Sequence, residues 1–115
     1  MTRVVLDTNI IVSALLQPRV PSAQLLGLAL SDAIQFCVTG SIYTEYDEVI
    51  RRPRFKRTEE MIAGALEAIR TKALWFRPTE QVKACADPDD DIFLKCAQAA
   101  HADYLETGPA GRRSR

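Results

Sequence analysis

The chain has 115 residues, enough for one domain with a substantial core and short for two. Hydrophobic residues make up 47% and charged residues 26%, and 15 Lys and Arg balance 15 Asp and Glu. This excludes a uniformly basic nucleic-acid-coating protein but leaves room for locally segregated charge. The longest apolar run, Ile10 to Leu16, is broken by Ser13 and is too short to span a bilayer. Met1-Thr2-Arg3 leads directly into a strand-like run with no cleavage-site pattern, so a soluble, cytoplasmic protein is expected. Cys37, Cys85 and Cys96 are odd in number and widely spaced, and His101 stands alone. A structural zinc site needs close ligand pairs, so buried free thiols in a reducing compartment are the expectation for Cys37 and Cys96.

In chain order, Arg3-Val4-Val5-Leu6 reads as a buried strand ending at Asp7. Thr8 and Asn9 are capping residue types ahead of a buried helix from Ile10 to Leu16, stopped by Pro18. Pro21-Ser22 opens a second helix with Leu25, Leu26, Leu28, Ala29 and Leu30 as its apolar positions. Ile34 to Val38 has strand composition and ends at the turn signal Thr39-Gly40. Ser41 is placed to cap a third helix running to Arg52, with Ile42, Tyr46, Val49 and Ile50 inward and Glu45 and Glu48 at the edges. From Thr58 to Lys72, Met61, Ile62, Ala65, Leu66 and Ile69 recur at helical spacing. Leu74-Trp75-Phe76 is a short strand, and Asp87-Pro88-Asp89-Asp90-Asp91 leads into a helix with Ile92, Phe93, Cys96, Ala97 and Ala100 inward. Asp103 to Thr107 is a last strand. This alternation predicts an α/β fold, with a central, mostly parallel sheet flanked by helices. Gly108 to Arg115 has nothing apolar to bury and reads as a disordered tail.

Parallel α/β sheets collect functional side chains at the carboxyl ends of their strands, where Asp7 stands. An aspartate there commonly serves only as a helix cap. Asp87, Asp89, Asp90 and Asp91 are harder to explain by helix capping alone, because close carboxylates repel by about 1 kcal/mol per pair even in water. A divalent cation offsets that repulsion. Mg2+ and Mn2+ take oxygen ligands and tolerate several waters, so Asp7, one aspartate of the cluster and a helical glutamate such as Glu45 would suffice.

Three segments carry a resemblance: Val4-Val5-Leu6-Asp7-Thr8-Asn9, Thr44-Glu45-Tyr46-Asp47-Glu48-Val49-Ile50-Arg51-Arg52-Pro53, and Asp87-Pro88-Asp89-Asp90-Asp91-Ile92-Phe93-Leu94-Lys95-Cys96-Ala97. In this order they resemble the PIN-domain ribonucleases, in particular the VapC-like toxins of toxin–antitoxin pairs, over about Arg3 to Gly108. The resemblance implies a PIN-like three-layer sandwich. It also implies an endoribonuclease dependent on Mg2+ or Mn2+, with an RNA substrate, an antitoxin partner and a homodimer. On it, Asp7, Glu45 and Asp91 are the catalytic and metal-holding acids. Asp89 and Asp90 are further metal candidates, and Asn9 is the supporting polar residue. The family's fourth acidic or amide position follows the last strand, where this chain has Thr107-Gly108 and then Pro109, which offers neither group. That departure suggests a shortened or altered end, with residues 1–108 as the domain and 109–115 as the tail. It also motivates an alternative, a catalytically impaired binding module. An exposed sheet edge left by a missing strand is a surface that dimerisation would cover. A haloacid-dehalogenase-type phosphohydrolase is disfavoured, since Asn9 stands where that chemistry needs a second aspartate.

The run Arg51, Arg52, Arg54, Lys56 and Arg57 is the candidate RNA-binding surface, with Phe55 available to stack on a base. A solvated helix end whose last-turn arginines suit the helix dipole explains the same residues equally well. Three arginines, Arg112, Arg113 and Arg115, lie in the tail, so the remainder of the chain is net acidic.

Overall fold

Strand and helix alternate along the chain in the computed structural model, which describes residues 1–17, 21–52, 58–77 and 91–106. The strands are β1 (Arg3–Leu6), β2 (Gln35–Val38), β3 (Leu74–Trp75) and β4 (Tyr104–Glu106). The helices are α1 (Thr8–Leu16), α2 (Pro21–Leu30), α3 (Gly40–Ile50), α4 (Glu59–Lys72) and α5 (Ile92–Ala100). The sheet has the order β3-β2-β1-β4 and every pair is parallel. Arg3 lies opposite Gln35, Val5 opposite Leu105, and Val38 opposite Trp75. The α/β expectation with a parallel central sheet is met.

Both faces of the central strands are covered. Val4, Val5 and Leu6 are all buried, as are Phe36, Cys37 and Val38, the continuous apolar pattern of a strand with helices on either side. The Phe36 ring packs with Tyr46 of α3, while Cys37, the next residue, faces the opposite side of the sheet. The chain steps from β1 to β2 to β3 in one direction and then crosses back to β4. Right-handed crossovers therefore place α1–α4 on one face and α5 on the other. The β1–β4 boundary is where the direction of the connections reverses, and the carboxyl ends there form the natural crevice of such a sheet.

Several element boundaries differ from the sequence reading, and caps account for most of the differences. Helix α1 is capped by Asp7 rather than Thr8 or Asn9, because the Asp7 carboxylate accepts from the Asn9 N–H. Helix α3 is capped by Thr39, which accepts from the Ile42 N–H, so it starts before Ser41. It ends at Ile50 rather than Arg52. The expected apolar stripes also narrow. Helix α2 buries Ser22, Leu26 and Ala29 and leaves Leu28 exposed, and α4 buries Ile62, Leu66 and Ile69 and leaves Met61 exposed. Helix α4 otherwise spans the expected residues; Thr58 caps it, and Glu59 and Glu60 in its first turn and Arg70 and Lys72 in its last suit the helix dipole.

At the start of β1, Arg3 ties the sheet to α5. Its guanidinium donates to Gln35 Oε1 at 3.0 Å and to the Ala100 carbonyl at 2.7 Å, and lies over the Phe76 ring. The Asp103 carboxylate accepts from the Arg3 backbone N–H at 2.8 Å. At the opposite, carboxyl edge of the sheet stand the candidate residues Asp7, Thr8 and Glu45.

Candidate active site

Asp7 directly follows β1 and is 4% exposed. One of its carboxylate oxygens accepts from the Asn9 N–H at 3.0 Å, and its own N–H donates to the Glu106 carbonyl at 2.9 Å. The first bond satisfies an orphan donor of α1, and the second joins the carboxyl ends of β1 and β4. Thr8 is as deeply buried as Asp7, and its hydroxyl donates to Glu45 Oε2 at 2.6 Å. Tyr46, the residue after Glu45, is fully buried and donates its hydroxyl to the Leu6 carbonyl at 2.5 Å. Consecutive residues of α3, Glu45 and Tyr46, thus bond to the two residues that flank Asp7, which places Glu45 on the same edge of the sheet as Asp7. Burial, with the nearby Cys96, Asp7 and Glu45 acting in the same direction, holds the Tyr46 hydroxyl well above the usual tyrosine range.

Asp91 caps α5, its Oδ1 accepting from the Phe93 N–H at 3.0 Å and the Leu94 N–H at 3.1 Å. Helix α5 packs on β1 and contacts α3, and it runs back toward the start of β4, so Asp91 opens it at the carboxyl side of the sheet. Asp87, Asp89 and Asp90 lie outside the described residues. Among the described residues, no three His, Cys, Asp or Glu side chains stand close enough together to hold a metal ion. The donor chemistry nevertheless suits a hard cation, since Asp7 and Glu45 are carboxylates brought to one edge with Thr8 between them. The Asn9 side chain is exposed beside them.

Sequence reasoning passed over Thr8 and Tyr46 as site-building residues, seeing a capping type and a core position. One signal was available, because a buried tyrosine hydroxyl almost always finds a partner. The Thr8–Glu45 bond links positions 37 residues apart and leaves no local signature.

Of the basic run, Arg51 bridges Glu59 of α4 at 2.5 Å and also Asp47 of its own helix, so its charge is locally matched. Arg52 is exposed, and Arg54, Lys56 and Arg57 lie outside the described residues. Cys37 and Cys96 are free and fully buried, as expected, and Cys85 lies outside the described residues. Burial pushes both thiols up, that of Cys96 to about 12. They are therefore poor nucleophiles and poor metal ligands in the folded state. Among the described residues, no helix is long and apolar enough to cross a membrane.

Comparison with known proteins identifies the family. A protein from Methanocaldococcus jannaschii, the uncharacterized protein MJ1680, is 27% identical over 103 residues, covering 87% of this chain and 66% of the relative. The chain therefore spans somewhat under two thirds of that relative's length. No solved structure matches with comparable significance. The family model described as PIN domain matches residues 3–108, nearly the whole chain, and PIN domains as a class are nucleases. The chain belongs to the PIN-domain family.

Proposed function

We propose that the chain is a Mg2+- or Mn2+-dependent endoribonuclease, the toxin component of a toxin–antitoxin pair. The observation that carries this reading is the junction of Asp7 and Glu45, from separate elements, at the carboxyl edge of the sheet through the Thr8 hydroxyl. Asp7, Glu45 and Asp91 would hold the cation, with Asp89 and Asp90 as further ligands. When bound, a divalent cation activates water and neutralises charge at the scissile phosphate. The chain's own residues do the positioning. Asp7 is fixed by the start of α1, Glu45 by Thr8, and the spacing between them by the Tyr46–Leu6 bond. Exposed Asn9 is available to the RNA beside Asp7. Arg52, with Arg54, Lys56 and Arg57, would contact the RNA backbone, and Arg51 contributes less because two carboxylates already match its charge.

An antitoxin and a second copy of the chain are the proposed protein partners, and a cytoplasmic location fits this role. Among the described residues β4 pairs only with β1, and its Tyr104 is exposed, which favours self-association along that edge.

The test is cleavage of a labelled single-stranded RNA in Mn2+. The wild-type chain is expected to cut and to stop cutting when the metal is chelated. Asp7→Asn is expected to reduce the rate by at least about 100-fold, the scale of a lost electrostatic group in an active site. Absence of both cleavage and Mn2+ binding by calorimetry overturns the reading. Mn2+ binding without cleavage favours the impaired binding module instead.

A further inference from the structure

We propose that Thr8 is a positioning residue of this site, its hydroxyl holding the Glu45 carboxylate in the orientation that serves a cation shared with Asp7. The inference rests on the nuclease reading and adds a residue to it.

Two observations separate this from ordinary helix capping. First, the capping duty at the start of α1 is already discharged by Asp7, which accepts from the Asn9 N–H. The Thr8 hydroxyl is not needed there, and it donates across to α3 instead. Second, Thr8 is 4% exposed, and the O···O distance of 2.6 Å lies in the range of a hydroxyl donating to a charged carboxylate. A glutamate on a helix has a long side chain with several accessible rotamers, and a single short bond from a buried, β-branched residue selects one of them. Thr8 has one rigid rotatable bond between its backbone and that oxygen. With Tyr46 gripping Leu6, the residues on either side of Asp7 are each bonded to α3, one to a side chain that carries charge and one to the side chain next to it. Oε1 of Glu45 makes no hydrogen bond among the described residues, which leaves one oxygen for a ligand while the other is held.

The test compares wild type, Thr8→Val, Thr8→Ser and Thr8→Val in a Glu45→Gln background, with Mn2+ affinity by calorimetry and RNA cleavage as parallel readouts. Circular dichroism and thermal melting establish that each variant is folded. Thr8→Val is expected to weaken Mn2+ binding or cleavage by about 10–100-fold, the usual loss when a partner of a metal-holding side chain is removed. Thr8→Ser, which keeps the hydroxyl, is expected to restore both toward wild type. In the Glu45→Gln background Thr8→Val is expected to add little, because the two residues act as a unit. If Thr8→Val does not fold, the pair Thr8→Ser and Thr8→Ala, which differ by one oxygen, carries the same comparison. A folded Thr8→Val that binds and cleaves as wild type overturns this proposal and leaves the nuclease reading standing. Equal impairment of Thr8→Val and Thr8→Ser also overturns it, since packing rather than the hydroxyl is then at stake. A wild-type chain that neither binds Mn2+ nor cleaves RNA overturns the nuclease reading and this proposal together.

Discussion

Asp7 performs two tasks that substitutions separate. As the cap of α1 it needs an oxygen acceptor, and as a candidate metal-holding group it needs a negative charge. Asparagine supplies the first without the second, and alanine supplies neither. Asp7→Ala is therefore expected to lose about 0.5–2 kcal/mol of stability through the cap alone. At about 4–8 °C per kcal/mol for a domain of this size, the melting temperature should fall by several degrees. Asp7→Asn should melt close to wild type while losing cleavage, and calorimetric scans of the two variants check this. At this scale the sequence was informative about Asp7, because an aspartate closing the run Val4-Val5-Leu6 has few places to be other than a strand end. It was uninformative about Thr8, whose partner lies 37 positions away and is chosen by the packing of α1 against α3.

Helix α3 is the element that sets the geometry of the site. Its inward face, Ile42, Tyr46 and Ile50, was legible from helical spacing, because a buried stripe follows from the period of the helix. That the same face carries a hydrogen bond into β1 was not legible, since apolar periodicity says nothing about which backbone carbonyl a tyrosine meets. Tyr46→Phe keeps the ring among its apolar neighbours and removes only the bond to Leu6. Losing a buried hydrogen bond of this kind costs about 1 kcal/mol, with more if the carbonyl is left unsatisfied. Urea unfolding of Tyr46→Phe should show a lower midpoint with an unchanged slope, and its cleavage rate should fall with the loosened spacing of Asp7 and Glu45. An unchanged midpoint contradicts the role assigned to this bond. The start of the same helix is ambiguous in sequence. Thr39 and Ser41 are both capping residue types, and only the backbone geometry decides which one takes the Ile42 N–H.

Across the whole molecule, the parallel α/β architecture was readable because strand-like and helix-like periods alternate. The strand order was not readable, since it depends on which connections cross back over the sheet. The buried thiols were readable too, and they make a prediction about the complete fold. Cys37, Cys96 and Tyr46 all have their ionisation pushed up by burial, Cys96 from 9.0 to about 12. Between these values the unfolded chain releases the Cys96 proton while the folded chain keeps it. Stability is therefore full below pH 9 and declines as pH rises toward 12. Urea midpoints measured across that range should fall steadily, and Cys96→Ala should flatten the decline by removing one of the contributing groups. A midpoint indifferent to pH over the same interval contradicts the buried, proton-bound state of these side chains.

Whether Asp7 after β1, Glu45 of α3 and Asp91 at the start of α5 serve one divalent cation is decided by a crystal of the chain soaked in Mn2+ and measured at an anomalous wavelength. A single strong peak, or a close pair, ligated by the carboxylates of Asp7, Glu45 and Asp91 is expected. A map with no peak at that edge, or with Mn2+ held only by residues elsewhere on the surface, contradicts it.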